Sequence, residues 1–164
     1  MRRFILSIAL FLVGFSCLAQ LSNDSALIKF VNEQGPCRVT FSMSGKGIDG
    51  QEHSSETGTM DLNVPSFRVT LGRHLIIGDA ETLWYYDTED QEVLVMNSFI
   101  FILLQDSKLD RSGDVPVVTY TQSNGSKMVF RILSIEPLPE DLPTDHFTFN
   151  TASLPEDAVV TDIR

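Results

Sequence analysis

From residue 37 to residue 43 the chain alternates without a break. Cys37, Val39, Phe41 and Met43 are apolar, while Arg38, Thr40 and Ser42 are polar. A strand turns successive side chains to opposite faces, so the pattern predicts a strand with one face buried. The alternation returns at Met60, Leu62 and Val64 against Thr59, Asp61 and Asn63. It returns again at Phe67, Val69 and Leu71 against Arg68 and Thr70, with Pro65-Ser66 as the turn between. Residues 75–77, 82–86 and 92–96 continue the series, and two more strands are predicted at 115–121 and 127–135. Strands of about five residues joined by short polar turns describe an antiparallel meander. The Gly-rich polar stretch 45–58 is expected to be a loop, "EPLPEDLPTD" a connection, 147–149 a further strand and 154–164 a tail.

Three stretches break this pattern. Residues 22–34 place Leu27, Phe30 and Val31 on one stripe, with Ser22 or Asp24 to cap and Gly35-Pro36 to stop, so a helix precedes the strands. "FIFILL", residues 99–104, is apolar at every position, and its periodicity cannot separate a buried strand from a helix. Thr82 to Tyr86 carries Leu83, Trp84, Tyr85 and Tyr86 in succession, so large rings fall on both faces of one strand. The expectation is one β-rich domain (mainly β with helices, α+β) with a helix at its front.

The first nineteen residues stand apart from that domain. Arg2 and Arg3, an apolar run and Cys17-Leu18-Ala19 have the layout of a secretory signal peptide, with cleavage expected after Ala19. The apolar run is short for a membrane span. An alternative start is a lipidated Cys17, which would anchor the mature chain, although Gly14-Phe15-Ser16 fits a lipobox poorly. Domain boundaries are therefore 1–19 for the leader and 20–164 for a single domain.

Composition sharpens the picture in two ways. The 164-residue chain has 12 Lys and Arg against 22 Asp and Glu, a formal charge of −10, and loses two of its cations with the leader. Such a surface repels nucleic acid phosphates, so nucleic acid binding is excluded as an expectation. Of the two cysteines, Cys37 alone lies in the domain, so no internal disulfide is expected there and the core must suffice.

Catalytic patterns are missing from the sequence. His53, His74 and His146 are scattered, with no second His or Cys at ligand spacing, and no metal site is expected. "DTEDQE" and "DRSGD" lack the spacing of a calcium loop. No Gly-x-Ser-x-Gly elbow and no phosphate-cradling Gly loop occurs. Cys37 opens an apolar strand face, where cysteines pack rather than react. The sequence therefore suggests no enzyme and no cofactor. What it does hold is a large apolar inventory of Phe, Met, Trp and Tyr on strands, which is first of all core. A curved sheet with one amphipathic helix has too little cover for one of its faces, which either collapses or holds a ligand.

The order of segments adds a family resemblance. "GTMDLNVPSFRVTL", then "IIGDAETLWYYDTEDQEV", then the ending "HFTFNTASLPEDAVVTDIR" resembles the LolA-like outer-membrane lipoprotein carriers, most closely between residues 58 and 95. The resemblance implies an incomplete antiparallel β-barrel, with an apolar cavity under a helical lid. The cavity would receive lipoprotein acyl chains in the periplasm, between an inner-membrane ABC transporter and an outer-membrane acceptor, by a monomer without chemistry of its own. Phe41, Met43, Met60, Leu62, Phe67, Val69, Leu83, Trp84 and Tyr85 are the expected cavity residues. Leu27, Phe30 and Val31, with Phe99, Leu103 and Leu104, are the expected lid. Where the family places an Arg that tethers the lid, before the Pro of the second turn, this chain has Val64. An envelope module that binds protein partners and carries no lipid is the competing expectation.

Overall fold

The computed structural model describes residues 26–46, 51–98 and 107–164, with 26–28 and 52–54 by their backbone alone. Among the described residues the helix α1 (Ala26–Gln34) leads into ten strands. They are β1 (Cys37–Lys46), β2 (Glu52–Asn63), β3 (Ser66–Leu71), β4 (His74–Gly78), β5 (Thr82–Asp87), β6 (Glu92–Asn97), β7 (Ser107–Asp110), β8 (Val117–Thr121), β9 (Lys127–Pro137) and β10 (Val159–Asp162). One sheet holds them all in the order β10-β6-β5-β4-β3-β2-β1-β9-β8-β7. Each pairing is antiparallel except that of β10 with β6. Among the described residues the two end strands, β10 and β7, do not pair, and there is little helix, so these strands form an open sheet, an incomplete barrel.

Chain length requires the curl. Strands β6 and β7 follow one another in sequence but stand eight places apart in the sheet. In a flat sheet eight steps of about 4.8 Å make about 38 Å. The ten residue steps from Asn97 to Ser107 reach about 33–36 Å when fully extended. Only a rolled sheet brings its far edge within reach.

Alternation then sorts the side chains. Across the paired register, Cys37 and Phe41 share a face with Leu62, Phe67, Val69, Leu83, Tyr85 and Met96. These residues, with Val118 and Ile132, form one buried cluster that includes Phe30 and Val31 of α1. This is the helix-side face. The other face carries Arg38, Asp61, Arg68, Ile77, Trp84 and Tyr86, and the chain between β9 and β10 crosses it as a strap.

Several expectations need correction. Residues 52–58 are strand rather than loop, because β1 runs to Lys46 and pairs with β2 as far as Glu52. No apolar alternation marks this end, since Glu56 and Thr57 are exposed; backbone pairing extends the ladder, with a Ser42–Ser55 hydroxyl hydrogen bond of 2.8 Å across it. Residues 147–149 are not strand; they belong to the strap, where both rings find partners without a ladder. The expected tail supplies β10, joined to β6 through Val159 N–H to the Gln91 carbonyl (3.0 Å) and Ile163 N–H to the Val95 carbonyl (2.9 Å). The meander runs unbroken only from β1 to β6, after which β9 returns beside β1. "FIFILL" and the leader lie outside the described residues.

Candidate functional site

The helix-side face collects most of the expected cavity. Phe41, Leu62, Phe67, Val69, Leu83 and Tyr85 are buried in the central cluster, and Met43 and Met60 pack half-buried against it. Two glycines shape this surface. Gly58 lies opposite Phe41 and Gly78 opposite Phe67. A Cβ on Gly58 would stand 2.9 Å from Phe41 and 2.7 Å from the Thr70 carbonyl oxygen, and one on Gly78 would stand 2.7 Å from Phe67. Each ring therefore lies down over the space its glycine leaves, so both Phe residues cover the sheet rather than stand off it.

On this face α1 contributes Phe30 and Val31, both buried, and the Arg111 guanidinium sits 4.3 Å from the Phe30 ring centre. Leu27 belongs to the helix by its backbone, and its side chain lies outside the described residues, as do Phe99, Leu103 and Leu104. Val64 is exposed in the β2–β3 turn and offers no charge toward the helix. Sequence reasoning missed the half of the face that β8 and β9 supply, including Val118, Phe130 and Ile132. Phe130 meets Phe41 edge-on at 5.8 Å. Their strand pattern was legible, but their position beside β1 was not.

Toward the β3–β4 and β5–β6 turns the apolar surface stops at a polar lock. Asp87, almost fully buried, pairs with Arg73 at 3.0 Å and caps the following turn by accepting from the N–H groups of Glu89 and Asp90. Tyr85 shares a hydrogen bond of 2.7 Å with His74 Nδ1, and burial pushes its phenol up to about 12. Tyr85 is therefore an uncharged part of the apolar wall, with its polar tip satisfied at the rim.

Trp84 does not line this face. Alternation within β5 sends Leu83 and Tyr85 to the helix side and Trp84 and Tyr86 to the strap side. There Phe149 lies parallel to the Trp84 ring at 6.4 Å and edge-on to Tyr86 at 6.0 Å. The double-sided run of rings thus serves two separate surfaces.

The strap is also pinned by charge. Asp61, 5% exposed, accepts from Arg38 Nε at 2.6 Å and Nη2 at 2.8 Å, and from His146 Nε2 at 2.7 Å. The Arg38 hydrogen bonds hold the Asp61 carboxyl below its ordinary range, with His146 helping and burial opposing. Arg68 Nη1 donates to the His146 carbonyl at 3.1 Å. Between strap and sheet lies a half-open pocket of about 400 Å³, lined by Arg68, Leu75, Ile77, Tyr86, Phe149 and Leu154 among others.

No protein-family model matches the sequence, and no curated protein does. Among solved structures, the chain is similar to an uncharacterised conserved protein from Thermus thermophilus. That match has 12% identity and a TM-score of 0.49, over 87% of this chain and 100% of the other. It is also similar to the LolA superfamily protein NE2245 from Nitrosomonas europaea. Here identity is 9% and the TM-score 0.46, over 76% of this chain and 96% of the other. Likenesses of this degree say nothing about activity or ligand.

Elsewhere the chemistry is sparse. Among the described residues no group of His, Cys, Asp and Glu is placed to hold a metal ion, and no helix is long and apolar enough to cross a membrane. Cys37 is a free, buried thiol that burial, and then the nearby Asp61 charge, push above its ordinary value. Such a thiol stays protonated and is a poor nucleophile.

Proposed function

We propose that the domain is a periplasmic carrier that shelters acyl chains, those of lipoproteins first among them, against the helix-side face. It would do so by binding alone, as a monomer and without cofactor. It would exchange cargo with an inner-membrane ABC transporter and an outer-membrane acceptor. The observation behind this is the continuous apolar surface that runs from β6 to β8 under a nine-residue helix, of which Phe30 and Val31 are buried. Returning two such side chains to water costs about 3–6 kcal/mol. One long acyl chain relieves on the order of 10 kcal/mol of exposure. Exchange of helix for lipid is therefore favourable, and the half-buried Met43 and Met60 can adapt to a flexible chain.

A second reading has its own support. Val159, Val160 and Ile163 are exposed on and beside the edge strand β10. An apolar edge of that kind suits a module that contacts protein partners and carries no lipid. Native mass spectrometry of the protein purified from its own envelope, with extraction of bound species, separates the two. Co-purified acyl chains or an acylated N-terminal peptide are the expected result. An empty protein that also ignores an added acylated peptide would remove the carrier and leave the module.

A further inference from the structure

We propose that the pocket between strap and sheet is a second binding site, one for a small amphipathic monocarboxylate. It lies on the opposite side of the sheet from the acyl-binding face and does not depend on that function. Its polar end is Arg68, half-buried, whose guanidinium donates one N–H to the His146 carbonyl and meets no carboxylate among the described residues. A guanidinium has five donors in a planar fork, so a carboxylate can be taken on the remaining N–H groups. The apolar end is Ile77, fully buried, flanked by Leu75 and Tyr86 from the sheet and by Phe149 and Leu154 from the strap.

The space between, about 400 Å³, lies near the lower end of the range of about 300–1,000 Å³ that small-molecule sites occupy. Asp145 stands at the exposed rim, and the whole chain is acidic. Both disfavour a dianion such as a phosphate monoester, while one negative charge is balanced by Arg68. An aryl or short acyl monocarboxylate fits these walls: its charge on Arg68, its apolar body between Tyr86 and Phe149.

Titration of the isotope-labelled domain with phenylacetate, and with its uncharged counterpart phenylacetamide, tests the site by NMR. Saturable shifts are expected at the amides of Ile77, Tyr86, Phe149 and Leu154, with the amide ligand bound about tenfold more weakly. Arg68→Gln, which removes the charge, is expected to weaken phenylacetate by about tenfold, with Arg68→Lys between. Equal affinity for acid and amide overturns the proposal, as do shifts confined to Phe41, Val69 and Tyr85 on the helix side. So does saturation that is absent in the millimolar range. If Arg68→Gln does not fold, the comparison of acid with amide, together with Arg68→Lys, decides the matter.

Discussion

At the scale of single residues, two positions bear more than their size suggests. Gly58 is required by its neighbours: a methyl group there would press on the Thr70 carbonyl at 2.7 Å, and on Phe41 and Leu71 at 2.9 Å. The backbone oxygen cannot move without disturbing the β2–β3 ladder. Gly58→Ala is therefore expected to lower stability by about 1–3 kcal/mol, read as an earlier midpoint in urea unfolding. Asp61 carries the second weight. Its carboxyl is held below its ordinary value in the folded chain, so its stabilisation is complete above the unfolded value near 3.8. As pH falls below that value toward the folded one, the unfolded state binds the proton first and the stabilisation is lost. A stability profile that declines on the acid side of about pH 4, and declines less in Asp61→Asn, is the expected result of denaturant melts across pH.

At the scale of elements, β5 and the strap explain each other. A strand with rings on both faces needs apolar cover on both, and the strap provides it with Phe149 between Trp84 and Tyr86. Ile77 beneath it, and Val93 and Val95 beside Tyr86 and Trp84 on the same side, are buried on a face that a single-sheet barrel would leave wet. The clamp of Asp61 with His146, and the Arg68 bond to the His146 carbonyl, fix where the strap crosses. Phe149→Ala should release the strap locally. Trp84 fluorescence would then shift to the red, and stability would fall by about 1 kcal/mol or more. An unchanged emission spectrum would mean that other residues cover the indole.

At the scale of the whole molecule, one roll of the sheet satisfies chain length and burial together. It brings β7 within reach of the end of β6 and turns one face inward as a continuous apolar wall. The described cover of that wall is α1, held by two buried side chains and the Arg111 contact with Phe30. A cover of this size suits opening better than permanent closure. If the domain carries acyl chains, Phe30→Ala should speed uptake of a fluorescent acyl probe severalfold by stopped-flow, since the helix then has less to lose on leaving. Uptake at the unaltered rate would place entry elsewhere than under α1.

The sequence by itself determined most of the strands, though not β7, β10 or the first half of β2, and the residues of the helix-side face that come from β1, β2 and β3. Alternation is local, and a half-buried strand writes it directly into the chain: Cys37 to Met43 and Phe67 to Leu71 are examples. It also determined that rings of residues 84–86 must serve two faces, since a period of two allows nothing else. It could not say that Trp84 belongs to the outer one, because alternation gives relative sides and never names them. Only the tertiary structure decided that. It likewise decided that β9 returns to β1, that polar residues 52–58 pair as strand, and that Phe149 and Val159 belong to a strap and an edge. These depend on backbone pairing and on contacts between distant segments, which leave no period in the chain. The Arg68 pocket belongs to the same class. Its two walls are β3 to β5 and residues 143–154, more than fifty positions apart, and neither wall marks its residues for the other.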